Sequence, residues 1–403
     1  ANALLFTSGA TESMYLGAAP GTLSAANYNT TLGYQAGDDI TQGDENTLIG
    51  QYAGANVTTG GANTTIGRAA GSALTTQGNN TIVGAQAGYL IASDYNTIVG
   101  ALAGYNTGGA LGTMNNFFGY GAGQNIQGAA TKNIAIGIYA LYGNTSNTSA
   151  TANNIAIGHE SLKAIQGGYT NIGIGKEALT AITSGYDNTV VGALAGATLT
   201  TGYYNTYIGK SAGSGATTAA HSNVGIGLSA LSSAHGANNV AIGRGALSST
   251  TDANQVAIGS SALEANTSGE KNLAIGFQAL EANTTGNYNV AIGHEALESN
   301  VHGDGSVAIG YEALATSTPA DNTGYSVGIG YQALTADTGG GENVAVGANT
   351  GKAITTGLYN TAIGTHALTT NIDGDYNTAI GHNSLYNMEP STDGYGTNTA
   401  VGA

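Results

Sequence analysis

A glycine with an apolar residue in front of it returns every 16 to 18 residues along almost the whole 403-residue chain. It occurs 23 times between Gly17 and Gly402, so 22 intervals span 385 residues and the mean spacing is 17.5. Four intervals are longer: 19 from Gly100 to Gly119, 21 from Gly137 to Gly158, 20 from Gly310 to Gly330 and 21 from Gly381 to Gly402. A unit this short cannot bury a core alone, so the repeats must stack on one another.

The residue before each Gly is apolar (Ile66, Val99, Phe118, Ile258, Ile380), and two places earlier stands Thr or an aliphatic (Thr64, Val240, Leu273). That spacing is the strand period, with both residues on one face, and the apolar member reads as the core-facing one. Helix is opposed by the recurrent Gly and the β-branched neighbours. The third residue after the Gly is nearly always Ala (Ala36, Ala103, Ala279), which predicts a corner with room for a methyl. The next residue is Leu in twelve copies, such as Leu179, Leu263 and Leu314. Where it is Gly, an apolar residue usually follows three places on: Ile40, Val57, Leu74, Ile91, Ile126, Leu199, Ile354. One core volume is thus filled from either of two positions, as close packing between coils requires.

The fourth residue before the Gly is Asn in 19 of the 23 copies. Asn29, Asn46, Asn63, Asn80, Asn96, Asn188, Asn289, Asn360 and Asn377 are read as a structural ladder, amide bonded to amide at the roughly 4.8 Å spacing of stacked strands. The chain is therefore expected to be all-β, a parallel β-solenoid (β-roll) of about 23 coils with a repeat of about 17 residues, residues 1–403 forming one continuous array.

Composition narrows function. With 24 acidic against 8 basic residues the net charge is -16, and the scattered Lys and Arg argue against nucleic acid. Cys is absent, and no apolar run approaches the ~18 residues of a membrane-spanning helix.

Ser306-Val-Ala-Ile-Gly310, Asn289-Val-Ala-Ile-Gly293 and Asn272-Leu-Ala-Ile-Gly276 resemble the head repeats of YadA-like trimeric autotransporter adhesins. That resemblance implies a left-handed parallel β-roll with Val and Ile pointing inward, and three associated chains. Asn360-Thr-Ala-Ile-Gly364 followed by Ala367-Leu368 is also similar to repeats of phage tail fibres and bacterial surface fibre proteins.

The ends carry no evident cap, although open solenoid ends present unpaired strand edges. Placing Gly402 of one copy before Gly17 of the next gives an interval of 18 residues, in phase with the array. Asn2, Ala3, Leu4, Leu5 and Phe6 are accordingly expected to meet Asn398, Ala400, Val401 and Gly402 of a neighbouring copy. Such a heterologous contact builds an open filament. The expected function is a structural subunit of a secreted, extracellular or cell-surface filament, with itself as partner, head to tail and in a trimeric form if the resemblance extends so far. A start at Ala1 fits a cleaved leader and equally any other trimming of the chain. The alternative is the shaft of an adhesin or phage tail fibre that recognises a surface glycan or protein receptor. Ice binding by a flat Thr array is set aside, because Thr30, Thr47, Thr64, Thr81 and Thr97 read as an inward column.

No nucleophile, base and acid break the repeat, so no enzymatic activity, cofactor, metal, nucleic acid or membrane insertion is expected. Gly209-Lys210-Ser211 fails as a phosphate loop, because Tyr204 stands where the first Gly is required. His159, His294 and His382 share a column several coils apart, His366 and His382 sit on adjacent coils, and Glu160/Glu177 and Glu295/Glu312 stack as like charges. Many of the 23 tyrosines precede the Asn column, among them Tyr28, Tyr95, Tyr204, Tyr288, Tyr359 and Tyr376, and are expected either to contact carbohydrate or protein, or to stack or pack between chains. The long intervals, with Pro319, Pro390 and residues 142–153, are candidate projecting loops.

Overall fold

The computed structural model describes residues 4–6, 13–17, 26–106, 111–126, 128, 130–143, 151–319, 324–339, 341–388 and 397–403. The chain forms two compact units, Ala1–Asn205 and Thr206–Ala403. Each is a parallel β-solenoid with one short strand per repeat, and no helix occurs among the described residues. In the first unit Leu48 pairs with Thr65 and Thr65 with Ile82. In the second, Ala257 pairs with Ala274 and Ala274 with Ala291. Stacking is thus in register at one repeat per coil, and the ladder continues past the strands: Leu280 N–H donates to Ala296 C=O at 3.0 Å.

The repeat glycine is required twice over. Gly50 has φ +132°, and a Cβ there would lie 2.6 Å from the carbonyl oxygen of Gly67 one coil on. Only a residue without a side chain permits this approach.

Strand polarity is opposite to the sequence expectation. From Met14–Gly17 to Thr378–Ile380 the strand residue two places before the repeat Gly is buried (Leu48, Ile82, Ala135, Ala257), while the residues before and after it face outward. The apolar residue before the Gly is therefore on the outside, as Ile66, Phe118, Ile136 and Ile363 are. The Thr column Thr30, Thr47, Thr64, Thr81, Thr97 also faces outward, partly or fully exposed, so the ground for setting ice binding aside is removed. The reason is the width of the coil: a three-residue strand has inward room for one side chain and presents two to the exterior.

That single inward position trades volume with the corner. Where the corner is Gly, the strand centre is usually large: Leu48 with Gly54, Ile82 with Gly88, Phe117 with Gly123, Tyr207 with Gly213. Where the corner is Leu, the centre is Ala or Gly, as in Ala274 with Leu280 and Gly173 with Leu179. All twelve corner leucines are left-handed, with φ of 50–54°, a region L-residues avoid at a cost of about 1–2 kcal/mol. Burial offsets that cost. Ile40, Val57, Leu74, Ile91, Leu199 and Ile354 are buried as the compensation argument requires. Pro319 does not project: it is buried and packs on Gly303. Pro390 and residues 144–150 lie outside the described residues.

Leu280→Gly relieves a left-handed backbone but empties the core, and is expected to cost about 3 kcal/mol. Adding Ala274→Leu, which recreates the Leu48/Gly54 pairing, should regain more than about 1 kcal/mol of it. Denaturant unfolding of both variants measures the difference, and equal instability would contradict the volume exchange.

Candidate assembly surfaces

The Asn ladder fixes how successive coils meet. Asn46 donates its backbone N–H (2.9 Å) and its Nδ2 (3.0 Å) to Asn29 Oδ1, and the same Nδ2 reaches Gly60 C=O one coil on (2.9 Å). Asn63 and Asn80 repeat the bonds to the preceding Asn oxygen, as do Asn96, Asn171 and Asn188. In the second unit Asn289 takes its place on Asn272, and Asn360, Asn377 and Asn398 follow one another. Gln255 fills a rung with its side-chain amide on Gly269 C=O and its Oε1 accepting from Asn272 N–H. Ser306 interrupts the column, and its buried hydroxyl has no hydrogen-bond partner.

A second buried Asn column escaped the sequence reading. Asn266, Asn283, Asn300 and Asn371 each donate Nδ2 to the Gly C=O three residues on, at 3.0–3.2 Å. Their signal is Asn-x-x-Gly, seven residues after the repeat Gly, a position that apolar residues hold on other coils, such as Ile40, Val57, Ile165 and Ile182.

The outward strand face forms a candidate contact surface on each unit. In the second unit it presents Val224/Ile226, Val240/Ile242, Val256/Ile258, Leu273/Ile275 and Val290/Ile292 on successive coils, and the run continues to Val344/Val346. In the first unit Thr replaces the first member on several coils, as in Thr64/Ile66 and Thr81/Val83. Neither column carries a charged residue. A parallel sheet ordinarily has both faces covered.

The two terminal strands differ in kind. Leu4–Phe6 runs antiparallel to Met14–Gly17, with Leu4 opposite Leu16 and Phe6 opposite Met14. The in-phase join expected at Gly17 needs the edge of Met14–Gly17 that Leu4–Phe6 occupies. A chain arriving there meets Leu4–Phe6 first. Asn2 and Ala3 lie outside the described residues. At the other end Thr399–Val401 lies parallel to Thr378–Ile380, Asn398 bonds Asn377 Oδ1, Ala400 is half-buried and Val401 is 75% exposed. Nothing lies within 4 Å of a Cβ placed on Gly402.

Aromatic residues stack along the coils. Tyr169, Tyr186 and Tyr203 lie nearly parallel at 5.0 Å in the first unit. Phe277, His294, Tyr311 and Tyr331 form a run at 5.1–5.3 Å in the second, where Tyr359 also stacks on Tyr376 at 4.9 Å. Stacked rings cover one another's faces and turn their edges outward.

Three groups of titratable side chains complete the surface and core. Ligand atoms of His159, Glu160 and Glu177 lie within 4.8 Å of one another. Both carboxylates are already engaged, Glu160 by Lys163 at 2.8 Å and Glu177 by Lys176 at 3.1 Å, and the Lys163 hydrogen bond holds Glu160 below its ordinary pKa. His366 and His382 rings are 6.3 Å apart and edge-on. Inside the second unit, Tyr207 and His235 are fully buried and share a 2.8 Å hydrogen bond. His235 Nδ1 lies 2.8 Å from Ser233 C=O, which can only accept, so Nδ1 carries the proton and Nε2 receives the Tyr207 hydroxyl.

These features define a parallel β-solenoid repeat protein. No protein-family model matches the chain, and no curated protein matches it.

Burial pushes the His235 imidazole down to about 4. The unfolded chain protonates this ring near pH 6.5 while the folded protein keeps it neutral, so folding loses stability as pH falls from about 6.5 toward 4, by up to about 3 kcal/mol. In thermal melts, the stability advantage of the native chain over His235→Gln should shrink across that interval. A constant difference would contradict the assignment.

Proposed function

We propose that the chain is a structural subunit of an extracellular filament, in which copies associate side by side through the outward strand face and end to end through their terminal strands. The observation that carries this reading is the uncharged Val/Ile face of a parallel sheet. Twelve coils of the second unit rise about 55 Å, and the two uncharged outward columns together with the column after the repeat Gly, aromatic from Phe277 to Tyr331 and bearing Lys210 and Arg244 on earlier coils, span about 13 Å, roughly 700 Å². A standard interface takes about 800 Å² from each partner. The occupant that fits is a second copy of this chain, because only a surface with the same rise per coil can interdigitate with these columns along their whole length. The antiparallel strand Leu4–Phe6 implies that an end-to-end join places Thr399–Val401 of one copy beside Leu4–Phe6 of the next, as an antiparallel pair.

Sedimentation velocity and light scattering test the lateral contact. The native chain should sediment as a multimer. Ile242→Asp with Ile363→Asp, introduced into the Leu4→Asp/Leu5→Asp chain so that the terminal join is also blocked, should sediment as a single chain with an unchanged melting temperature. A native chain that stays single at all concentrations would refute the lateral contact. Electron microscopy tests the ends: Leu4→Asp with Leu5→Asp should abolish long fibres and leave short multimers, and fibres of native length would refute the terminal join.

A second reading, the shaft of an adhesin or phage tail fibre recognising a surface glycan or receptor, is favoured by Tyr28, Tyr95, Tyr204 and Tyr288, each 57–59% exposed. Discrete rods that bind a glycan array, with binding lost on Tyr→Ala changes at these positions, would support it.

A further inference from the structure

The tyrosines of the first unit form an arrangement that neither solenoid packing nor the outward strand face requires. Tyr169, Tyr186 and Tyr203 stand six residues before their repeat glycines, ahead of the Asn corner, whereas the outward face is made by residues three and one before. Their backbones form single parallel bridges, Tyr169 to Tyr186 and Tyr186 to Tyr203. Their rings stack at 5.0 Å with interplanar angles of 6° and 3°. Tyr204 adds edge-on contacts to Tyr186 (5.6 Å) and Tyr203 (5.2 Å). Tyr186 therefore touches three other phenols, and Tyr169 and Tyr204 at the margins are 44% and 57% exposed. Backbone pairing holds each phenol beside the next, so two of them meet at a far higher effective concentration than free tyrosines reach in solution.

We infer that this cluster is a site of oxidative tyrosine coupling, with Tyr186 as its hub and a one-electron oxidant of the peroxidase–hydrogen peroxide class as co-reactant. Each of two adjacent phenols gives up one electron and one proton. The resulting phenoxyl radicals join by a carbon–carbon bond between ring positions ortho to the hydroxyls. The hydrogens on those carbons then move to the oxygens and restore both aromatic rings. The net loss of two electrons and two protons reduces one hydrogen peroxide to two waters. A bond between Tyr169 and Tyr186 ties two successive coils covalently, a cross-link for which this chain has no cysteines.

The positions of the lysines make the product readable. Trypsin cuts after Lys163, Lys176 and Lys210, so Tyr169 lies on peptide 164–176 and Tyr186, Tyr203 and Tyr204 lie on peptide 177–210. The native chain, treated with horseradish peroxidase and hydrogen peroxide and isolated as single chains by denaturing chromatography, should yield these two peptides joined and lighter by two hydrogens. Dityrosine fluorescence should accompany them. Tyr186→Phe, with a melting temperature equal to the native chain's, should lower the joined product by roughly tenfold, and so should oxidation of the chain in denaturant, where the proximity is lost. A joined peptide formed equally well by Tyr186→Phe, or found only in species larger than one chain, would overturn the assignment. So would a native chain that forms dityrosine elsewhere and none between these peptides.

Discussion

The fold depends on the distance between successive coils at the repeat glycine. Gly50 and its equivalents bring one backbone against the carbonyl of the next at a separation that excludes any Cβ. That approach lets each coil bond its neighbour along the strand, through the corner and through the Asn rung at once. A coil of about 17 residues buries very few side chains, so hydrogen bonding between coils carries much of what a larger core would supply. Asn suits this position for a specific reason. Its amide offers a donor and an acceptor on one short, stiff stem, so a single buried side chain links the coils on both sides of it. Gln255 reproduces the pattern with a longer reach, whereas Ser306 cannot and leaves its hydroxyl unpaired.

Within that frame the interior is a problem of constant volume. Each coil has one inward strand residue and one corner residue, and on most coils the chain fills the space with a large centre and a small corner or the reverse, Ala345 with Gly351 being small at both. The exchange also explains why Gly and Leu, residues of opposite character, alternate in one column. The corner backbone is left-handed in both cases. Gly adopts it without strain and leaves space. Leu adopts it under strain and fills that space, so the burial it gains must exceed the backbone cost. Two otherwise different coils therefore have the same outline and can follow each other in any order.

The repeat length, the strand position, the methyl-sized corner and the Asn column were legible in the sequence, because each recurs as an unbroken column with a single physical cause. The direction of the strand was not. Ile in the column before the Gly has the composition of a core residue, and Thr beside it offered no contrast, so periodicity gave the alternation without its sign. The Val-Ala-Ile strands held the clue: a small residue between two large ones fits an interior too narrow for both. The second Asn column was hidden because it occupies a position that apolar residues hold on many other coils, including the Leu-corner coils of Ile165 and Ile182. The Tyr207–His235 pair joins residues 28 apart through the core, and no local pattern announces it. The antiparallel Leu4–Phe6 strand is equally invisible to a repeat-based reading, since it departs from the repeat.

In-register stacking also accounts for the composition. Any side chain placed on a coil faces its equivalent one rise away, so chemistry that attracts itself is repeated to advantage and chemistry that repels itself is not. Asn bonds Asn, Tyr stacks on Tyr, and Thr hydroxyls bond the next coil's carbonyl, as Thr58 does to Thr75. Carboxylates behave oppositely. Glu298 is held above its ordinary pKa first by desolvation and then by Glu295 and Glu281, and even in water two like charges at such spacing oppose each other by about 1 kcal/mol. A column of acids along a unit would accumulate that penalty at every coil, which explains why only 8% of the chain is charged. The acidic excess is left as short runs at corners, beside lysines where these occur. The long continuous surfaces are consequently the neutral ones, aliphatic, threonine-bearing or aromatic. What such surfaces discriminate is spacing and shape, and it is on this ground that another copy of the same array is proposed as the partner.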